Sequence, residues 1–174
     1  MLKKVLFLTA LAFVTLASQA QSDGKFGVWY GVNSSKMKTD GNSPKAEFKA
    51  LNIGVDYTGA ISEAFDWTAG VAYVTKGCKD WDPAFIQIDA NATWNFVKSD
   101  DFKVGILTGP YADFIVKKDK AEDTKTFSWG WNAGLKASYK AFSLKAGYEL
   151  GLSDVMKGGK SKMNGIYVRV GYTF

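Results

Sequence analysis

The chain has 174 residues, 47% hydrophobic, 15% aromatic and 22% charged, with a formal charge of +5, a single cysteine and no histidine. That is one domain's length. Without imidazole there is no Ser-His or Cys-His base and no histidine metal ligand, and Cys78 alone makes neither an internal disulfide nor a thiolate zinc site.

Residues 1–20 open with Lys3 and Lys4, run apolar from Val5 to Leu16, and end in Ser18-Gln19-Ala20 before Gln21. A basic start, a short apolar stretch and small residues at the cleavage positions predict a cleaved signal peptide, leaving residues 21–174 as one mature domain. The apolar run is too short for a spanning helix. Cleavage removes two of the 22 basic residues and none of the 17 acidic ones, leaving 20 against 17. So weak an excess, on an exported chain, predicts no nucleic-acid partner.

From Phe26 onward the apolar period is two residues. Phe26, Val28, Tyr30 and Val32 begin the pattern, followed by Leu51 to Tyr57, Phe65 to Tyr73, Ile86 to Phe96, Val104 to Phe114, Phe127 to Tyr139, Phe142 to Leu152 and Ile166 to Phe174. These are eight two-faced strands. Their links alternate: roughly 35–47, 77–84, 117–125 and 153–163 are long and charged, while 59–63, 97–101 and 140–141 are short. Long loops at one end and short turns at the other predict an all-β, eight-stranded antiparallel up-and-down transmembrane β-barrel, with its long loops outside the cell and its turns in the periplasm.

The apolar parity of these strands carries no charged residue. The other parity carries Asp56, Asp66, Lys76, Asp89, Lys103, Asp113, Lys136, Lys145, Glu149 and Arg169. A lysine or arginine at the lipid midplane costs about 2–4 kcal/mol, so the charge-free parity is assigned to lipid. Aromatics gather near both strand ends, with Tyr57, Trp67, Trp94, Tyr139 and Phe142 toward the periplasm and Tyr73, Trp129 and Trp131 toward the outside. Trp67, Trp94, Trp129 and Trp131 are expected at the membrane interfaces. Glycines of the other parity suit a cramped interior.

Five acidic and five basic residues inside predict pairing, because an unpaired buried charge is costly. Folding the second and third strands about residues 59–63 sets Asp56 opposite Asp66, and the 140–141 turn sets Lys136 opposite Lys145. In a ring of eight these pairs face one another, which predicts a four-residue charge cluster plugging the periplasmic half. Arg169, expected beside Glu149 and across from Asp89, predicts a second, central cluster.

The last strand alternates through Val168, Val170 and Tyr172 to Phe174. A terminal aromatic on an alternating strand resembles the signal recognised by the barrel-assembly machinery. With the signal peptide, Gly109-Pro110-Tyr111-Ala112 and Trp129-Gly130-Trp131-Asn132-Ala133-Gly134, the chain resembles the small porin-family outer-membrane β-barrel proteins of Gram-negative bacteria. Within them it is similar to PorT-like barrel domains and, in architecture, to outer-membrane proteins of the A and X type. The resemblance covers residues 21–174 and implies fold and location: a monomer in the outer-membrane bilayer. It carries over no catalytic residue.

The expected function is therefore structural or surface interaction through the outer loops, not catalysis, with no cofactor and no metal. The alternatives are a narrow channel for ions or small solutes and, on the Gly27-Val28-Trp29-Tyr30 segment, a secreted lipocalin-like barrel. Lysine-rich loops at 35–47 and 153–163 could meet lipopolysaccharide phosphates. Gly159-Lys160-Ser161 lacks a phosphate-loop context, and Asn91-Ala92-Thr93 matches a glycosylation pattern by chance. Asp80 and Asp82 could touch a cation, but two carboxylates with no further ligands nearby fit a solvated loop better.

Overall fold

The structure, a computed structural model, describes residues 24–39, 46–77, 82–117, 124–157 and 161–174. The expected signal peptide, Cys78, Asp80, Gly159 and Lys160 lie outside the described residues. Eight antiparallel strands follow one another around a closed barrel: β1 (Lys25–Thr39), β2 (Glu47–Ala60), β3 (Phe65–Thr75), β4 (Ala84–Lys98), β5 (Phe102–Lys117), β6 (Phe127–Tyr139), β7 (Phe142–Gly151) and β8 (Ser161–Thr173). The ring closes where β1 pairs with β8, from Gly27↔Thr173 to Thr39↔Ser161. Closure leaves no strand edge with unmet backbone groups.

Alternating side chains produce the two faces. Phe26, Val28, Ile53, Val55, Ile106, Leu135, Leu144, Val168 and Val170 stand exposed on the outside, while their sequence neighbours turn inward. So continuous an apolar exterior is unfavourable in water and favourable in a bilayer. The inverse arrangement, a polar exterior around an apolar lumen, would mark a soluble ligand-binding barrel. Inside, bulky rings fit because glycines face them. At Gly54 a Cβ would lie 2.6 Å from the Trp29 ring, and at Gly130 it would lie 2.5 Å from the Tyr111 hydroxyl, so each glycine clears the space that an inward ring fills.

Three short links mark one end of the barrel, the turn end, and four longer links mark the other, the loop end. The first turn differs from expectation. β2 continues to Ala60 and the turn comprises residues 61–64, held by Ile61 and Ser62 amides donating to the Phe65 carbonyl. The apex moves toward β3, so Asp56 pairs with Gly70 and Asp66 with Ala60, and the two aspartates do not face each other. At the last turn Lys140 adopts a left-handed φ of 52° between Tyr139 and Phe142.

β1 and β8 also reach further than expected. Residues 35–39 and 161–163, read from sequence as loop, continue the ladder through Met37↔Met163 and Lys38↔Lys162. Their inward positions, Ser35, Met37, Ser161 and Met163, are buried, and this burial holds the extension in place. Tyr57 departs from its expected exposure as well. It lies on the outward parity, yet it is only 6% exposed, because its ring packs 4.8 Å from Phe26 and 5.5 Å from Trp67 and covers Gly24.

Candidate functional site

The lumen holds the charged residues predicted to pair and plug the barrel, and its side chains form three layers from the turn end upward. The lowest is a vestibule of about 530 Å³, lined in part by Asp66, Lys103, Lys136, Lys140 and Phe142. At its inner end Lys145 Nζ donates to Asp56 Oδ2 at 2.6 Å. Asp66 accepts from Asn95 Nδ2 at 2.8 Å and lies 3.9 Å from Lys103 Nζ. Lys136 pairs in register with Lys145 and makes no ion pair among the described residues. The expected four-residue cluster is therefore divided. Lys145 meets Asp56 across the lumen, while the shifted turn carries Asp66 to Asn95 and Lys103. Above it, between Thr93, Lys136, Lys145 and Arg169, lies a separate small cavity of about 10 Å³, about the space of one water.

The middle layer is a continuous ion network. Arg169 Nη1 donates to Asp89 Oδ2 at 3.1 Å, and Nη2 donates to Glu149 Oε1 at 2.9 Å and to Gln87 Oε1 at 2.8 Å. Its register partner is Lys145, while Glu149 sits opposite Gly165, so the long Arg169 side chain leans toward the loop end to reach Glu149. The guanidinium lies between two rings, with its centre 4.4 Å from the Trp29 centroid and 4.5 Å from that of Tyr167. Glu149 also accepts Lys76, whose Nζ lies 2.7 Å from Oε2 and 2.8 Å from Asp113 Oδ2, over the Tyr111 ring at 4.4 Å. Lys76 is 2% exposed. Five charges, three acidic and two basic, thus share one hydrogen-bonded layer, and this compensates each for lost water.

The top layer is mainly apolar, with Ser35 and Ser161 buried beside it. Met37, Val74, Phe85, Ile115 and Met163 turn inward at the loop end, and Val155 descends onto them from the link between β7 and β8. Local bonds hold that link. The Lys125 amide donates to the Val155 carbonyl at 2.8 Å, the Val155 amide to the Ser161 carbonyl at 2.8 Å, and the Met156 amide to Ser161 Oγ at 2.9 Å.

The alternation places Lys76 and Asp113 in the interior without joining them to Glu149. It also missed Gln87, the inward rings of Trp29, Tyr111 and Tyr167, and the whole apolar layer. A signal for that layer exists: Ala84-Phe85-Ile86 and Phe114-Ile115-Val116 are apolar on both parities, as expected of strand ends buried on both faces.

On the exterior, Trp94, Trp129 and Trp131 are exposed, Trp67 half-buried. Trp94 and Phe96 belong to the turn end, and Trp129 and Trp131 lie nearer the loop end. Val168, Val170, Tyr172 and Phe174 face outward along β8, and the Phe174 ring, 72% exposed, meets Tyr172 at 5.4 Å, which in turn meets Phe142 at 5.3 Å. Among decoys, Asp82 pairs with Lys49 at 3.2 Å, and Thr93 is buried in β4. Among the described residues no group of three His, Cys, Asp or Glu side chains could hold a metal ion.

No protein-family model matches the chain, and no curated protein is similar to it in sequence. Solved structures are. Neisserial surface protein A superposes with a TM-score of 0.56 at 15% identity over 88% of this chain and all of that one. Ail, the attachment invasion locus protein of Yersinia pestis, gives 0.51 at 16% over 88% of this chain and all of that one. The outer membrane protein OprG from Pseudomonas aeruginosa gives 0.52 at 14% over 90% of this chain and 98% of that one. Identities this low speak of the fold, and they agree with the lipid-facing exterior: the chain has the fold of the small, closed, eight-stranded outer-membrane β-barrels.

Proposed function

We propose that the chain is an integral outer-membrane protein, its loop end outside the cell, acting as a closed scaffold for surface interaction through its extracellular loops. The observation that carries this reading is the sequence of barriers along the lumen. Above the vestibule lies the separate small cavity of about 10 Å³, then comes the ion network, then the apolar layer. Ions crossing it would have to leave water in the apolar layer, at the cost of several kcal/mol per charge. Function on such a scaffold resides in its loops. The names of the similar Neisseria and Yersinia barrels, a surface protein and an attachment invasion locus protein, accord with it. Catalysis is no part of the proposal, and no cofactor enters it. Insertion through the barrel-assembly machinery, with Val168 to Phe174 as its signal, and residence as a monomer belong to the same reading.

A second reading, a narrow channel for ions, is favoured by the water-accessible vestibule. Single-channel recording of the protein in planar bilayers separates the two. The closed scaffold predicts no steady conductance steps, and large, long-lived steps would establish the channel instead.

A further inference from the structure

We propose that the outward face of the β1–β8 seam at the loop end binds the phosphate groups of an outer-leaflet glycolipid, through Lys36, Lys38 and Lys162. The inference rests on the outer-membrane reading and assigns it a partner. On the outward parity of this seam, cross-strand rows ascend in register: Tyr30↔Val170, Val32↔Val168, Ser34↔Ile166, Lys36↔Asn164, where the Asn164 side chain is buried and accepts the Gly151 amide, and Lys38↔Lys162. The apolar band ends at Ile166. Each further row adds two residues, about 7 Å along the strand, which is about the depth of one headgroup layer. All three lysines are exposed and stand on the parity that faces lipid further down. Their aliphatic stems can lie along the bilayer while the ammonium groups remain at headgroup depth.

No acidic side chain among the described residues balances them. Lys38 and Lys162 are directly opposed, an arrangement that costs stability in a sheet. None of the three makes an ion pair among the described residues, and nearby acids are engaged elsewhere: Glu47 and Asp82 on Lys49, and Asp154 on the Ser161 amide. At the turn end the pattern is reversed, with Lys98 on Glu63, Lys103 on Asp66 and Lys140 on Asp101. Three unbalanced cations rising from an apolar band match a molecule with acyl chains beneath its phosphates. Phosphorylated lipid A, the membrane-embedded part of lipopolysaccharide, has that form.

The test uses the mature protein refolded in non-ionic detergent, with folding checked by the heat-dependent shift of its gel band, and native mass spectrometry to read bound lipid. The probes are bisphosphorylated lipid A, fully dephosphorylated lipid A and inorganic phosphate. A lysine near an anionic surface is worth about fivefold in affinity, so the phosphorylated lipid is expected to bind at least tenfold more tightly than the dephosphorylated one. The K36Q/K38Q/K162Q variant should lose that preference and the K98Q/K140Q variant should keep it. A second measurement is independent of the triple variant. K162Q, which relieves the opposed pair, should be slightly more resistant to urea than the parent in lipid-free detergent, and less resistant once phosphorylated lipid A is added. Equal binding of the two lipids, or a preference surviving in the triple variant, overturns the proposal. Displacement of the lipid by equimolar inorganic phosphate would identify a free-phosphate site and overturn it too. Failure of the parent chain to fold in detergent or to insert into bilayers would instead count against the outer-membrane reading.

Discussion

The two ends of the barrel solve opposite problems. At the turn end the lumen opens into a vestibule of about 530 Å³, with Lys98, Lys103 and Lys140 each beside an acid. At the loop end Phe85, Ile115, Met163 and their neighbours pack into the lumen, while Lys36, Lys38 and Lys162 on the outer face make no ion pair among the described residues. Three turn-end lysines are thus paired with acids while Lys136 in the vestibule is not, and the three outer-face lysines of the loop end make no ion pair among the described residues. The difference teaches that inner and outer surfaces of one strand answer to different solvents, even within the same few residues of β1 and β8.

The layer between the two ends is where the comparison breaks most easily. Lys76→Met would leave Asp113 without an ion-pair partner among the described residues and Glu149 with Arg169 as its remaining one. Removing one member of a buried network costs about 3–5 kcal/mol, measurable as a lowered urea midpoint in detergent micelles. Lys76→Met/Asp113→Asn should recover part of that loss, because the orphaned charge goes with it. A smaller effect is expected at the cap. Val155→Ala removes two buried methyl groups from the dry end and should cost about 2 kcal/mol. If the cap is the outer barrier, the same variant should show brief conductance events absent from the parent. The smallest effect belongs to the turn end. Lys98, 3.0 Å away, holds the Glu63 carboxyl below its usual range near 4.5. The lowered value means that any stabilisation is present at neutral pH and lost as pH falls through it. Glu63→Gln should therefore leave neutral-pH stability within error, removing only a slight acid-side dependence, as read from urea midpoints on either side of pH 4.

Strand number, closure and the assignment of faces were legible because a period of two repeated eight times admits little else. Register was legible only where the turn was unambiguous. Lys140-Ala141 sits between Tyr139 and Phe142 and puts Lys136 opposite Lys145 as expected. The stretch from Gly59 to Ala64 offers several apices, and a shift of the apex by two residues separates Asp56 from Asp66 by four residue pairs along the ladder. The ring geometry that brings Lys145 to Asp56 and Arg169 to Asp89 tolerated that error, because those contacts cross the lumen and depend on height more than on hairpin pairing. Lys76 was harder to place, since it follows β3, and only its long side chain carries it back among Asp113 and Glu149. The apolar cap was obscured by its setting: Met37 lies between Lys36 and Lys38, and Met163 beside Lys162, so the inward methionines look like part of charged loops.

The seam between β1 and β8 has one further consequence. The amide of Phe174 donates to the carbonyl of Phe26 at 2.8 Å, so the first and last strands begin and finish side by side on the turn end. A ring built this way has no privileged starting strand. A linker of a few residues from Phe174 to Gly24 would make the order of the strands circular, and a new opening in any of the four links of the loop end would cut none of the eight ladders. The order in which the strands are synthesised is then a property of how the chain is delivered to the membrane, while the barrel's identity lies in its cyclic sequence of faces.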